Sequence, residues 1–302
     1  MNKNYKFLLF FKRANIFSIL LFSISILCIF FKGLNYGIDF KGGTLIELRV
    51  LDKNIKIEDI RNSFKSSTIG DVNIKEFGTK GDYLIKIEQK INQNKDFIKN
   101  LKNSINKNLQ TEVSFRRVEN VGPKVSAELL KSGLIAIFLS LAAMLFYIWI
   151  RFEWQFSLGS IIALFHDVII TVGIFSLMSF EINLSIIAAV LTIVGYSMND
   201  TVVIYDRIRE NLFKYNRMDI NEISNLSINE TLSRTIITSL TTLLALTSIF
   251  VLGGEILKGF SFAMILGVII GTYSSIFVAA PVLKFFKVSY KTMEKDEEKI
   301  VP

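Results

Sequence analysis

Six apolar runs divide the chain, each uncharged or nearly so. They lie near residues 14–31, 134–150, 156–178, 184–205, 232–252 and 260–286. Each reaches or approaches the roughly 20 residues a helix needs to cross the hydrocarbon of a bilayer. Six spanning helices are therefore expected. Between the first and second runs the pattern changes. Residues 44–50 are strand-like, and 57–67 have helical spacing (Ile57, Ile60, Phe64). Residues 72–77 and 83–88 alternate apolar and polar across a turn at Gly78-Thr79-Lys80-Gly81-Asp82, a hairpin signature. Residues 97–109 are helical again (Phe97, Leu101, Ile105, Leu109), and 113–118 alternate. The order βαββαβ is the ferredoxin-like arrangement. The expected fold is a polytopic α-helical membrane protein with one ferredoxin-like α+β domain between helices 1 and 2. Its expected segments are an N-terminus (1–13), helix 1 (14–34), the α+β domain (35–132), a membrane domain with helices 2–6 (133–286) and a charged tail (287–302).

Composition sharpens this. Of 302 residues, 51% are hydrophobic and 21% charged, with 26 Phe and only 3 Pro; mean hydropathy is +0.43. A soluble domain carries about 25% charge and fewer apolar residues. Disorder, a nucleic-acid module and a simple cytosolic enzyme are excluded. The net charge of +8 reads as topology, because surplus Lys and Arg collect in cytoplasmic loops. They flank the first run (Lys3, Lys6, Lys12, Arg13), join the second to the third (Arg151) and the fourth to the fifth (Arg207, Arg209, Lys214, Arg217), and fill the tail. Around 179–183 there are none. Both termini are expected in the cytoplasm and the α+β domain outside it. The one cysteine, Cys28, lies in an apolar run and reads as a small buried hydrophobe. A single His excludes a multi-His metal site and argues against a Ser-His-Asp triad. No phosphate-binding Gly-Lys-Ser/Thr loop occurs, so ATP use by this chain is not expected. No catalytic residue, cofactor or metal is assigned.

Small residues recur at helical period in the runs, and the sixth carries Ala263, Gly267, Gly271, Ser275 and Ala279. Gly267 and Gly271 are expected to let helix backbones approach. Charges in the runs need more explanation, since one in hydrocarbon costs roughly 2.5–3.5 kcal/mol on insertion scales. Asp200 lies in the fourth run, on one face with Tyr196 and beside a polar stripe of Ser185, Thr192 and Asn199. Asp167, next to His166, lies mid-way along the third, and Arg234 stands at the start of the fifth. Arg234 reads either as an anchor at the boundary or as a partner for Asp200. Asp200 reads as a static orienting group or as part of a proton or ion path. His166–Asp167 reads as a packing pair or as part of that path.

Specific motifs point further. They include Asn35-Tyr36-Gly37-Ile38-Asp39-Phe40-Lys41-Gly42-Gly43-Thr44 and Val121-Gly122-Pro123-Lys124-Val125. Within the runs stand Ala163-Leu164-Phe165-His166-Asp167-Val168 and Gly195-Tyr196-Ser197-Met198-Asn199-Asp200, the latter followed by Asp206-Arg207-Ile208-Arg209-Glu210-Asn211. Thr231-Leu232-Ser233-Arg234-Thr235 and Gly259-Phe260-Ser261 complete the set. With them the sequence resembles the SecF side of the SecD/SecF protein-export family, in the resistance-nodulation-division superfamily, over about residues 14–285. The resemblance implies an accessory role in Sec export across the bacterial inner membrane, driven by the proton-motive force. It implies SecD as obligate partner and the SecYEG channel as the machine served. It adds YajC and YidC as further candidates and SecA as the functional partner. Unfolded exported chains and membrane lipids complete the contacts; nucleic acid is not among them. The family's membrane Asp and Arg carry over to Asp200 and Arg234, with Asp167, Asn199 and Tyr196 beside them. Gly37, Asp39, Gly42, Gly43, Thr44, His166, Asp206 and Arg207 are carried as motif positions. The partner's carboxylate is absent from this chain. Two alternatives stay open: half of a small-molecule or lipid exporter of the same superfamily, or a non-conducting structural subunit.

Overall fold

A computed structural model describes residues 5–51, 55–65, 72–76, 80–87, 95–290 and 292. The expected turn residues Gly78 and Thr79, the element ends at 66–67, 77 and 88, and most of the tail lie outside the described residues. In chain order the elements are α1 (Leu8–Lys32), β1 (Asn35–Tyr36), α2 (Ile38–Lys41), β2 (Gly43–Val50), α3 (Ile57–Lys65), β3 (Val72–Glu76), β4 (Asp82–Ile87), α4 (Lys95–Leu109), β5 (Val113–Val121) and α5 (Pro123–Arg151). Then follow α6 (Trp154–Met178), β6 (Glu181–Ile182), α7 (Leu184–Lys214), α8 (Ile220–Leu252), α9 (Glu255–Ser274), a π-helical turn (Ser275–Ala279) and α10 (Ala280–Phe285).

Among the described residues six helices are long and apolar enough to cross a membrane: α1, α5, α6, α7, α8 and the α9–α10 rod. Several begin earlier than the apolar runs. α1 starts at Leu8, α5 at Pro123 and α8 at Ile220. The reason at α8 is local. Asp219 caps it, accepting from the Asn221 N–H at 3.0 Å, and Ile220, Ile223 and Ile228 bury an amphipathic face before the apolar run begins.

The chain divides into two compact units. The first holds residues 1–35, 136–180 and 185–302. Its inner helices are α6, α7 and α9, while α1, α5 and α8 leave most of their surface open. Small residues set the closest approaches, as expected in lipid. A Cβ added at Gly267 would lie 2.2 Å from Ile193 Cγ1, and one at Gly271 would lie 3.0 Å from Ser197 Cβ. Tyr205 stands edge-on to Phe152 and Phe156, which stack on each other, in the core of this unit. The π-helical turn precedes Pro281, which has no N–H to give to the ladder. The Tyr205 hydroxyl donates to Ala279 O at 3.0 Å there.

The second unit holds residues 36–135 and Glu181–Leu184. Its antiparallel sheet has the order β3-β4-β2-β5, as a ferredoxin-like βαββαβ chain requires. Ile46 and Leu48 of β2 and Ile85 and Ile87 of β4 face Ile60 and Phe64 of α3 and Leu101 and Ile105 of α4 in one closed core. Arg49 and Asp82 pair across β2 and β4 with two bonds of 2.6 Å. The Gly42-Gly43 pair turns α2 into β2 with φ of 80° and 133°, a region glycine enters without a Cβ penalty.

Candidate functional site

Asp200 lies on α7, 16 residues into the helix, and is 4% exposed. Ser239 of α8 and Thr272 of α9 stand next to its carboxylate, and the Arg234 guanidinium acts on it through space. The two hydroxyls are bonded to each other at 2.7 Å. Among the described residues no ion pair within 4 Å joins Asp200 to Arg234. Arg234 is exposed on α8. It also lies about four turns into that helix rather than at its start, because α8 begins at Ile220. Both residues lie well inside long helices.

Tyr196, one turn before Asp200, fixes α7 to α8. Its hydroxyl bonds Thr242 Oγ1 at 3.2 Å and Thr238 O at 3.3 Å. Asn199 is exposed beside it. The site is therefore a buried carboxylate with two hydroxyl neighbours, a cation within range, and an open polar face at Asn199 and Arg234.

Asp167 is different. It is fully buried and three donors surround it. His166 Nδ1 lies 2.9 Å from one oxygen, and Ser197 and Ser274 donate to the other at 2.5 and 2.7 Å. These bonds tie α6, α7 and α9 together. The His166 ring lies parallel to Phe22, with Tyr273 near-parallel on the same ring. This arrangement clamps three helices.

The other motif residues form two groups. Arg207 bonds Glu230 at 2.6 Å and also pairs with Glu210. Asp206 accepts from Arg151 at 2.9 Å. Asn211 donates to Glu230 at 2.7 Å and to Ser227 at 2.9 Å. These contacts lace the C-terminal end of α7 to α5 and α8. The second group is in the α/β unit. The Gly37 N–H donates to Ile182 O at 2.9 Å, and the Asp39 carboxylate accepts from the Leu184 N–H at 2.8 Å. Thr44 is buried on β2. Cys28 is half-buried on α1 rather than fully buried.

Ser239, Thr272, Ser197 and Ser274 were not singled out from sequence. Their sole signal is a hydroxyl in an apolar run. Glu181–Leu184, which straddles the stretch around 179–183 and the first residue of the fourth apolar run, belongs to the α/β unit; nothing in four residues announces this.

A family model described as the C-terminal part of the protein export membrane proteins SecD/SecF matches residues 101–289. One described as the SecD/SecF GG motif matches residues 29–50. The chain is 45% identical over 298 residues to the protein translocase subunit SecF of Rickettsia rickettsii, covering 97% of this chain and 96% of that one. It is 41% identical over 293 residues to the SecF of Cereibacter sphaeroides, covering 93% and 89%. The crystal structure of SecDF from Thermus thermophilus, a translocon-associated membrane protein, superposes with a TM-score of 0.84 at 34% identity over 94% of this chain. This chain spans 39% of the length of that one.

Proposed function

Because the chain belongs to the SecD/SecF family of protein export membrane proteins, we propose that it is an accessory subunit of Sec translocation that works with SecD and draws on the proton-motive force. It serves the SecYEG channel alongside SecA, with YajC and YidC as further companions, and it hydrolyses no ATP itself. It sits in the bacterial inner membrane with both termini in the cytoplasm and the α+β domain on the far side, as the placement of Lys and Arg supports.

The observation that carries the ion-driven part is Asp200. A buried carboxylate that has no ion pair among the described residues stands in a membrane helix for a reason. A carboxyl group that alternates between a dry environment and one facing a cation can load a proton in the first and release it in the second. Arg234 is that cation. One elementary charge crossing 100 mV supplies about 2.3 kcal/mol, enough to bias a conformational cycle. The open face at Asn199 and Arg234 fits a partner helix that brings a second carboxylate, which SecD would supply. Asp167, with its oxygens occupied by three donors, ties α6, α7 and α9 into one scaffold.

The test is export of a secreted reporter by vesicles that contain this chain, its SecD-type partner and the channel. Asp200→Asn and Arg234→Ala should each remove the part of export that depends on an imposed ion gradient. A pH series beside a sodium series identifies the ion. Unchanged gradient-dependent export in Asp200→Asn would support the non-conducting structural reading instead.

A further inference from the structure

We propose that the Ser239–Thr272 hydroxyl pair is a reversible hydrogen-bond relay that satisfies Asp200 in both of its charge states, which makes Ser239 and Thr272 positioning residues for the loading and release of a proton. The inference rests on the proposed ion-driven reading and commits it to a proton. Hydroxyls in the membrane helices mostly bond their own backbone one turn back. Thr171 donates to Asp167 O, Thr192 to Ala188 O, Thr238 to Arg234 O, Thr241 to Ile237 O and Ser248 to Leu244 O, each at 2.8–3.0 Å. That is the local habit of Ser and Thr in a helix. Among the described residues Ser239 and Thr272 depart from it. Neither bonds a carbonyl of its own helix. Their hydroxyls meet instead across α8 and α9 at 2.7 Å, next to the Asp200 carboxylate of α7.

Two contacts hold the three helices together at this level. Gly271 precedes Thr272, and a Cβ there would lie 3.0 Å from Ser197 Cβ, one turn before Asp200. Tyr196 of α7 bonds Thr238 O at 3.3 Å and Thr242 Oγ1 at 3.2 Å, on either side of Ser239 along α8. An ionised carboxylate can only accept, whereas a protonated one has an O–H that needs an acceptor. A backbone N–H serves the first state alone, and a carbonyl the second alone. A hydroxyl serves both, because it donates one proton, accepts on two lone pairs and rotates to suit. In the ionised state the first hydroxyl of the pair donates to Asp200 and the second donates to the first. When a proton binds, an O–H bond forms on Asp200 and donates to the first hydroxyl oxygen. That hydroxyl turns its proton to the second oxygen, and the second turns its own to a carbonyl one turn back. No O–H bond of either residue breaks, and the pair ends reversed. Its 2.7 Å bond allows either oxygen to be the donor. A metal cation carries no O–H and gives the pair nothing to reverse for.

The experiment uses vesicles with the reconstituted complex of full chains. It reads the increment in export, over ATP alone, under a proton gradient and under a sodium gradient. The infrared difference spectrum between acid and neutral pH is taken on the same samples, and the protonated-carboxyl band of Asp200 is assigned by its absence in Asp200→Asn. Ser239→Ala and Thr272→Val should each cut the proton-dependent increment severalfold, with complex yield unchanged. Each should also move the band to higher wavenumber, as a carboxyl group does when it loses a hydrogen-bond partner. Thr272→Ser and Ser239→Thr keep the hydroxyl and should retain most of the increment and the band position. A packing role alone would lower yield and increment together and leave the band in place, and that result overturns the relay. An increment that follows the sodium gradient in place of the proton gradient overturns it as well. Loss of the increment in Asp200→Asn with a full increment in both Ser239→Ala and Thr272→Val overturns the relay and leaves the ion reading standing. An increment that survives Asp200→Asn overturns both.

Discussion

Two aspartates in the membrane helices separate by what surrounds them. Asp167 has three donors and no exposed surface. Replacing it by Ala strands His166, Ser197 and Ser274 in a dry interior. A broken buried network of this kind costs about 3–5 kcal/mol. We expect Asp167→Ala to lower the melting temperature of the purified chain sharply and reduce its yield, with Asp167→Asn in between. Asp200 has hydroxyl neighbours and a cation at range, without an ion pair among the described residues. Asp200→Asn should therefore melt close to the unmodified chain while losing gradient-dependent export. Thermal unfolding of both variants in detergent, side by side, checks the contrast. Sequence alone placed both residues but could not sort them. The difference lies in serines one helix away, and a serine in an apolar run carries no label saying which carboxylate it serves. Arg234 makes the same point from the other side. Its helix starts at Ile220, and only the Asp219 cap and the buried isoleucines after it reveal that.

At the scale of elements, the pairing of α7 with the last helix depends on missing side chains. A methyl at Gly267 would overlap Ile193 at 2.2 Å. Overpacking of this kind costs about 1–3 kcal/mol. Gly267→Ala should destabilise the membrane unit by that order, and Ile193→Ala in the same chain should recover much of it. A double-mutant cycle on thermal stability measures the coupling. The α/β unit offers a pH test at Lys86, which Asp39, Glu181 and Lys75 face. Glu181 favours the charged ammonium, but burial, with Lys75 beside it, pulls Lys86 down to about 8. Burial decides the direction, because only 18% of the side chain is exposed. The folded value lies below that of a free lysine, near 10.4, so between about 8 and 10.4 the unfolded chain holds more protons. Stability of the unit should rise with pH across that window and be flat below it. Lys86→Met should flatten the rise, as read from melting curves from pH 7 to 10. The βαββαβ order was legible because alternation and helical spacing both survive in a polar segment. The docking of Glu181–Leu184 was not, because backbone carbonyls and N–H groups make half of that contact, and any sequence has those.

For the molecule as a whole, two kinds of surface remain. The inner helices α6, α7 and α9 are half buried or more, while α1, α5 and α8 stay open. The open face includes Arg234 and Asn199 next to Asp200, so the polar site is half-walled in the single chain. That is the arrangement expected of the proposed subunit, whose ion site a partner would complete. The most direct test of the account is ion uptake by sealed vesicles that contain this chain with its SecD-type partner, under an imposed gradient. The account predicts uptake in the unmodified complex that falls to the level of protein-free vesicles in Asp200→Asn, with complex yield unchanged. Equal uptake by the two complexes would contradict it.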